Sequence, residues 1–238
     1  MDGWMILVLI VLVASALQTS TGFGFSIVGT PFLLLLYPAH TAIQINIILS
    51  LCLSTFMIYK IRREVDKDLL KRLVKGSITG LVFGIIIYLY LNVQLLKMLV
   101  GTFILILTVL LILKLKLTQT NNRDLLTGGI SGFLTTSIGV PGPPLLLYFS
   151  GVGAAKAVLR STTLAYYLVV YFVSLVLQIS FGGTSKETWI SAVIALPSLF
   201  VGIVLGQILF KWISPKTFQL ITYIILIFTG IYLIVTSM

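Results

Sequence analysis

The sequence predicts an all-α polytopic membrane protein built from two inverted repeats, each a broken helical hairpin followed by three transmembrane helices. Three observations lead there. The chain has 238 residues, is 58% hydrophobic and only 9% charged, and has a mean hydropathy of +1.14. A soluble domain carries about 25% charge, so this composition sets aside soluble enzymes, nucleic-acid binders, disulfide scaffolds and disordered tails. Second, the charges fall in short intervals between long charge-free stretches. Third, the two longest stretches are interrupted by the same kind of glycine- and proline-rich break.

The charge-free stretches are 3–59, 76–96, 98–113, 125–155, 161–185, 188–210 and 217–238. A helical crossing takes roughly 20 apolar residues, which predicts single helices over 73–92, 157–181, 188–210 and 217–237. The short stretch 98–113 extends to a helix over 95–117 if Lys114 and Lys116 snorkel beside Leu115 and Leu117. Two stretches are too long for one helix. The first contains Gly22-Phe23-Gly24-Phe25-Ser26-Ile27-Val28-Gly29-Thr30-Pro31, the second Gly139-Val140-Pro141-Gly142-Pro143-Pro144. Glycine and proline at this density end helices and free backbone groups, which lipid cannot satisfy. Each is therefore read as two half-length helices meeting at a break: hairpins 4–38 and 125–152, the first followed by a helix over 41–60. No Lys or Arg precedes the first apolar run, so that segment is expected to belong to the fold and not to a cleaved signal.

The halves repeat, with boundaries at 1–120 and 121–238. Gly29 to Leu34 matches Gly142 to Leu147, Gln44-Ile45-Asn46 falls on Arg160-Ser161-Thr162, and Gly80-x-x-x-Gly84 falls on Gly202-x-x-x-Gly206. If each broken segment returns to the side it entered, fourteen of the sixteen Lys and Arg lie on one face, with Lys97 and Lys186 on the other. The positive-inside rule favours that arrangement. It places both termini outside, in a multi-pass protein of the cell inner or plasma membrane.

Catalytic groupings are absent from the sequence. His40, the single histidine, sits in a turn, and no Cys cluster or paired acids accompany it. No metal, cofactor or enzymatic activity is expected, nor a nucleic-acid partner. The six acids fall at termini or in loops, which argues against a proton carrier within the membrane and against a cationic substrate. What the membrane segments offer suits an anion. Arg160 opens the run 161–185; it either recognises an oxyanion through its planar fork or snorkels at the interface. Half-helix N-termini at the breaks present unpaired N–H groups, and Ser26, Thr30, Thr136 and Ser137 add hydroxyls. Tyr166, Tyr167 and Tyr171 either line a pathway or pack a core. The two GxxxG faces pack helices closely, within one chain or between two copies in a homodimer.

Gly22-Phe23-Gly24 with Pro31, and Gly139-Val140-Pro141-Gly142-Pro143-Pro144-Leu145-Leu146-Leu147-Tyr148 followed by Arg160-Ser161-Thr162, resemble the glycine-rich signatures of the sulfite exporter TauE/SafE family. The resemblance covers the whole chain, although Phe25 and Ser26 stand where the family often has further glycines. It implies transport of sulfur-containing anions such as sulfite or organosulfonates. The expected protein is an anion transporter in contact with membrane lipid; an anion channel, or a membrane enzyme or assembly factor, are the rivals. Its substrate site is expected near the midplane where the broken hairpins meet. Gly22, Gly24, Ser26, Thr30, Gln44 and Asn46 would contribute from the first half, and Ser137, Gly139, Gly142, Arg160, Ser161 and Thr162 from the second.

Overall fold

The computed structural model describes residues 3–90, 92–113, 116–212 and 215–237. They form α1 (Gly3–Thr21), α2 (Phe25–Leu36), α3 (Ala39–Ile61), a 3-10 turn (Arg62–Glu64), α4 (Lys67–Tyr90), α5 (Val93–Ile112), α6 (Asn121–Ile138), α7 (Gly142–Gly151), α8 (Lys156–Gly182), α9 (Lys186–Trp212) and α10 (Pro215–Val235). Among the described residues five helices are long and apolar enough to cross a membrane: α1, α3 with its 3-10 turn, α4, α8 and α9. The chain is an all-helical polytopic membrane protein.

Both long stretches break where expected, but not into equal arms. α1 has 19 residues and α6 has 18, against 12 in α2 and 10 in α7. At about 1.5 Å per residue the first arms approach 30 Å, the thickness of a hydrocarbon core. The expectation of half-length helices therefore holds only for α2 and α7. No residue in 3–21 disrupts a helix, and the glycines of α6 serve packing. Pro31 does not end α2 either. It cannot donate to the Ile27 carbonyl, and Thr229 Oγ1 of α10 bonds that oxygen instead, at 3.1 Å.

Two other boundaries differ from the sequence reading. α4 begins at Lys67, not 73, because Asp66 caps it: Leu69 N–H donates to Asp66 Oδ1 at 2.9 Å. α5 stops at Ile112, not 117. The Leu113 N–H closes the last turn on Val109 O, and Leu117 N–H crosses to Gly151 O at 2.9 Å. Lys114 and Leu115, expected to continue that helix, lie outside the described residues.

Asp124 corrects the reading that every acid is a terminal or loop residue. It lies in the first turn of α6, is fully buried, pairs with Arg72 Nε at 2.5 Å, and accepts a hydrogen bond from Tyr148. Its partners come from α4 and the far end of α7, so the sequence around it does not disclose its burial. The contact also shows that α6 and α7 fold back on one another, since the end of α7 meets the start of α6. On the other hairpin, a Cβ built on Gly29 of α2 would lie 3.1 Å from Asn46 Oδ1, so α3 runs back along α2.

Glycines set the tightest helix contacts. α4 and α6 run parallel: a Cβ on Gly76 would overlap Leu125 backbone, on Gly80 that of Gly129, and on Gly84 it would meet Phe133 O at 2.6 Å. α1 and α9 run parallel in the same manner, with Gly202 against Leu12 and Ser15 and Gly206 against Ala16 and Thr19. Both GxxxG faces are thus used within one chain. α5 and α10 run antiparallel, with Gly101 on Gly230 and Tyr223 Oη donating to Leu111 O at 3.3 Å.

These contacts separate neighbouring glycines sharply. Gly128→Ala pushes a methyl into the Leu73 backbone and is expected to cost about 1–3 kcal/mol. Gly129 meets one atom, at 3.4 Å, so Gly129→Ala is expected to be neutral or to add up to about 1 kcal/mol of helix propensity. Thermal unfolding of the two detergent-purified variants checks the difference.

Candidate functional site

Each break is buried against the opening turns of a long helix from the other half of the chain. At the first, Gly22 (φ +88°) closes α1 by donating to Gln18 O at 2.7 Å, and a Cβ on it would lie 2.7 Å from Arg160 Cα. At the second, Gly139 (φ +73°) caps α6 through Thr135 O, and its own carbonyl accepts from Asn46 Nδ2 at 2.9 Å. The positions correspond. α3 starts at Ala39 and α8 at Lys156, 117 residues apart like Gly22 and Gly139. Arg160 and Ile43 are each the fifth residue of their helix, and Ile43 lies 3.4 Å from a Gly139 Cβ. This spacing moves the earlier match by one: Gln44 corresponds to Ser161, not Arg160.

The two breaks meet. A Cβ on Gly142, the first residue of α7, would lie 3.3 Å from Phe23 Cβ, 3.5 Å from Ile27 Cδ1 and 3.0 Å from Tyr167 Oη. The positive ends of the short helices α2 and α7 therefore open near one another.

Arg160 is 6% exposed, and its guanidinium carbon stacks 4.1 Å over the Phe210 ring. Lys156 shares that ring at 4.3 Å and donates to Phe210 O at 3.1 Å. Arg160 Nε has no hydrogen-bond partner among the described residues. Phe210 stands two residues from the end of α9, and Thr162 accepts from Asp66 N–H at 3.0 Å. Arg160 therefore sits toward the end of the bundle that carries residues 62–66, with the first break beside it.

The remaining expected residues divide. Ser26 and Thr30 are buried with unpartnered oxygens and line a cavity with Ile43, Val140 and partly buried Lys97. Gly24 (φ +139°) packs on Leu17. Four others have partners, two within their own helices and two on other elements. Ser137 bonds Phe133 O at 2.7 Å and Ser161 bonds Val158 O at 3.2 Å. Thr162 holds Asp66, and Gln44 reaches Tyr88 Oη and Gly183 O near the opposite end of the bundle.

Sequence reasoning missed Gln18, Thr19, Ser50, Ser54 and Thr163, all buried with unpartnered polar atoms. Tyr167 and Tyr171, left open between lining and packing, are in the same condition. An unmade hydrogen bond at a buried group costs about 1–3 kcal/mol, so their grouping on facing helices calls for an explanation. The readable signal was the four-residue spacing of Asn46, Ser50 and Ser54 along an apolar helix.

Replacing Gly22 and Gly153 separates strain from contact. Both have positive φ, which costs a side chain about 1–2 kcal/mol, but a Cβ on Gly153 meets nothing within 4 Å. Gly22→Ala is expected to lose more stability than Gly153→Ala, because it also displaces α8 at Arg160; parallel thermal melts check this.

A model of the sulfite exporter TauE/SafE family matches residues 7–233. No curated protein and no solved structure matches the chain. The family match begins in α1, ends in α10, and takes in both breaks, Arg160 and the glycine-packed helix pairs. The chain belongs to the sulfite exporter TauE/SafE family, one of membrane transporters for sulfur-containing anions.

Proposed function

We propose that this protein exports a small sulfur-containing anion, sulfite or an organosulfonate, by alternating access around the region where the two breaks meet. One observation carries the reading: a buried arginine is held against the first break with its Nε uncommitted. A recessed guanidinium on an aromatic face keeps planar donors available for an oxyanion. The positive ends of α2 and α7 add a favourable field without supplying counter-anions.

The end carrying residues 62–66 faces the cytoplasm in this reading, and both termini lie outside the cell membrane. Two inverted repeats, 1–120 and 121–238, are supported by the matching order of element lengths. They run 19, 12, 23, 24 and 20 residues against 18, 10, 27, 27 and 21. The parallel pairs α1/α9 and α4/α6 with antiparallel α5/α10 agree with it. Each glycine-locked pair joins one half to the other, so the bodies that rock are these pairs and not the halves as they follow in sequence. A negative cell interior drives the anion outward.

Radiolabelled sulfite flux into proteoliposomes tests this. Arg160→Ala is expected to abolish saturable uptake while folded protein is still recovered; uptake equal to wild type overturns the role of Arg160. Unlabelled sulfite on the far side is expected to accelerate labelled influx. A channel gives no such acceleration.

A further inference from the structure

Three positions recur in two helices. The eighth, twelfth and sixteenth residues of α3 are Asn46, Ser50 and Ser54; those of α8 are Thr163, Tyr167 and Tyr171. All six are at most 1% exposed, and each has a polar atom without a hydrogen-bond partner. A four-residue step keeps each set on one helix face. The two faces belong to neighbouring antiparallel helices: Ser50 and Ser26 are the polar neighbours of the Tyr171 oxygen, yet none closes a hydrogen bond to it. Tyr167 and Tyr171 rings stand 5.1 Å apart, and Tyr167 Oη points at the start of α7. Beyond Tyr171 the face meets α6, although Gln178 Oε1 is also buried without a partner among the described residues. Ser174 and Gln178 on the same face bond Thr136 of α6, at 2.8 Å each.

The chemistry of this column is selective. Five of its six side chains are hydroxyls, able to donate to an oxygen-bearing ligand without contributing charge. No carboxylate stands among them to receive a cation. No cation stands among them either, but two positive groups border the breaks. Arg160 stands at the first break, and Lys97 lines the cavity reached through Ser26 at the second. The penalty of removing an ion from water rises with the square of its charge, so neutral hydroxyls can hold one negative charge far more readily than two.

We propose that the column between α3 and α8 binds a singly charged oxyanion, handed between Arg160 at one end and Lys97 at the other. This rests on the transport reading above and names its permeating species: hydrogen sulfite or a monosulfonate, not a doubly charged sulfite or sulfate. The six positions correspond pairwise across the halves, so the binding section is the same whichever side is open.

Binding to the purified full chain and flux in proteoliposomes test it, with methanesulfonate as a probe that stays singly charged and sulfate as one that stays doubly charged. Methanesulfonate is expected to raise the melting temperature and compete with labelled sulfite, and sulfate to do neither. Tyr171→Phe and Ser50→Ala are each expected to weaken methanesulfonate binding about tenfold. Their melting temperatures without anion should match or exceed wild type, since each removes an unpartnered hydroxyl. A purely structural hydroxyl would lower that baseline and leave affinity unchanged, which overturns the proposal. Sulfate binding as well as methanesulfonate overturns it too. Column variants that bind and transport normally while Arg160→Ala is inactive defeat the column and leave the transporter reading standing. Wild-type protein that moves no sulfur anion defeats the transporter reading itself, and this inference with it.

Discussion

A peptide group within lipid has no water to bond, and that constraint organises this molecule. Two stretches of the chain leave helical geometry deep in the bundle, at Gly22–Gly24 and at Gly139–Pro141. Each frees N–H and C=O groups that lipid cannot satisfy, so they must be buried in protein or line a cavity. The cover is supplied crosswise: the opening turns of α8 lie on the first break, and those of α3 on the second, where Asn46 bonds the Gly139 carbonyl. The close glycine contacts that draw α6 to α4 and α1 to α9 hold the arms that lead into those breaks.

What the sequence disclosed and what it hid divide along the same line. Local grammar was readable: glycine and proline in density marked both breaks, charge-free length marked the long helices, and GxxxG marked two faces that do pack closely. Pairings between distant residues were not. Asn46 and Gly139 are 93 residues apart, Arg72 and Asp124 are 52 apart, and nothing beside either member announces the other. Gln44 and Thr162 show the same limit, since their partners Tyr88, Gly183 and Asp66 are distant in sequence. Ser137 and Ser161, by contrast, bond carbonyls one turn back in their own helices. A one-residue error in matching the halves concealed that Ile43 occupies the place of Arg160.

That asymmetry has chemical weight. The two breaks carry unlike residues, a guanidinium on one and an isoleucine on the other, with Lys97 contributed from α5 to the cavity beside the second. In the transport reading, the two openings of the pathway are therefore not equivalent. Arg160 is stacked on Phe210 and recessed, whereas Lys97 is partly exposed. Capture at one end and release at the other then differ in strength although the walls between them are alike.

The contact of α1 with α9 sets the order in which the polypeptide can mature. The small-residue face of α1, from Leu12 to Thr19, is covered by Gly202 and Gly206 of α9, made about 190 residues later. At a synthesis rate of about 5–20 residues per second, that face waits on the order of tens of seconds for its partner. α4, by contrast, meets α6 after one intervening helix. α1 is thus seated only after α9 follows it, and until then the face that ends at Thr19 lacks its cover.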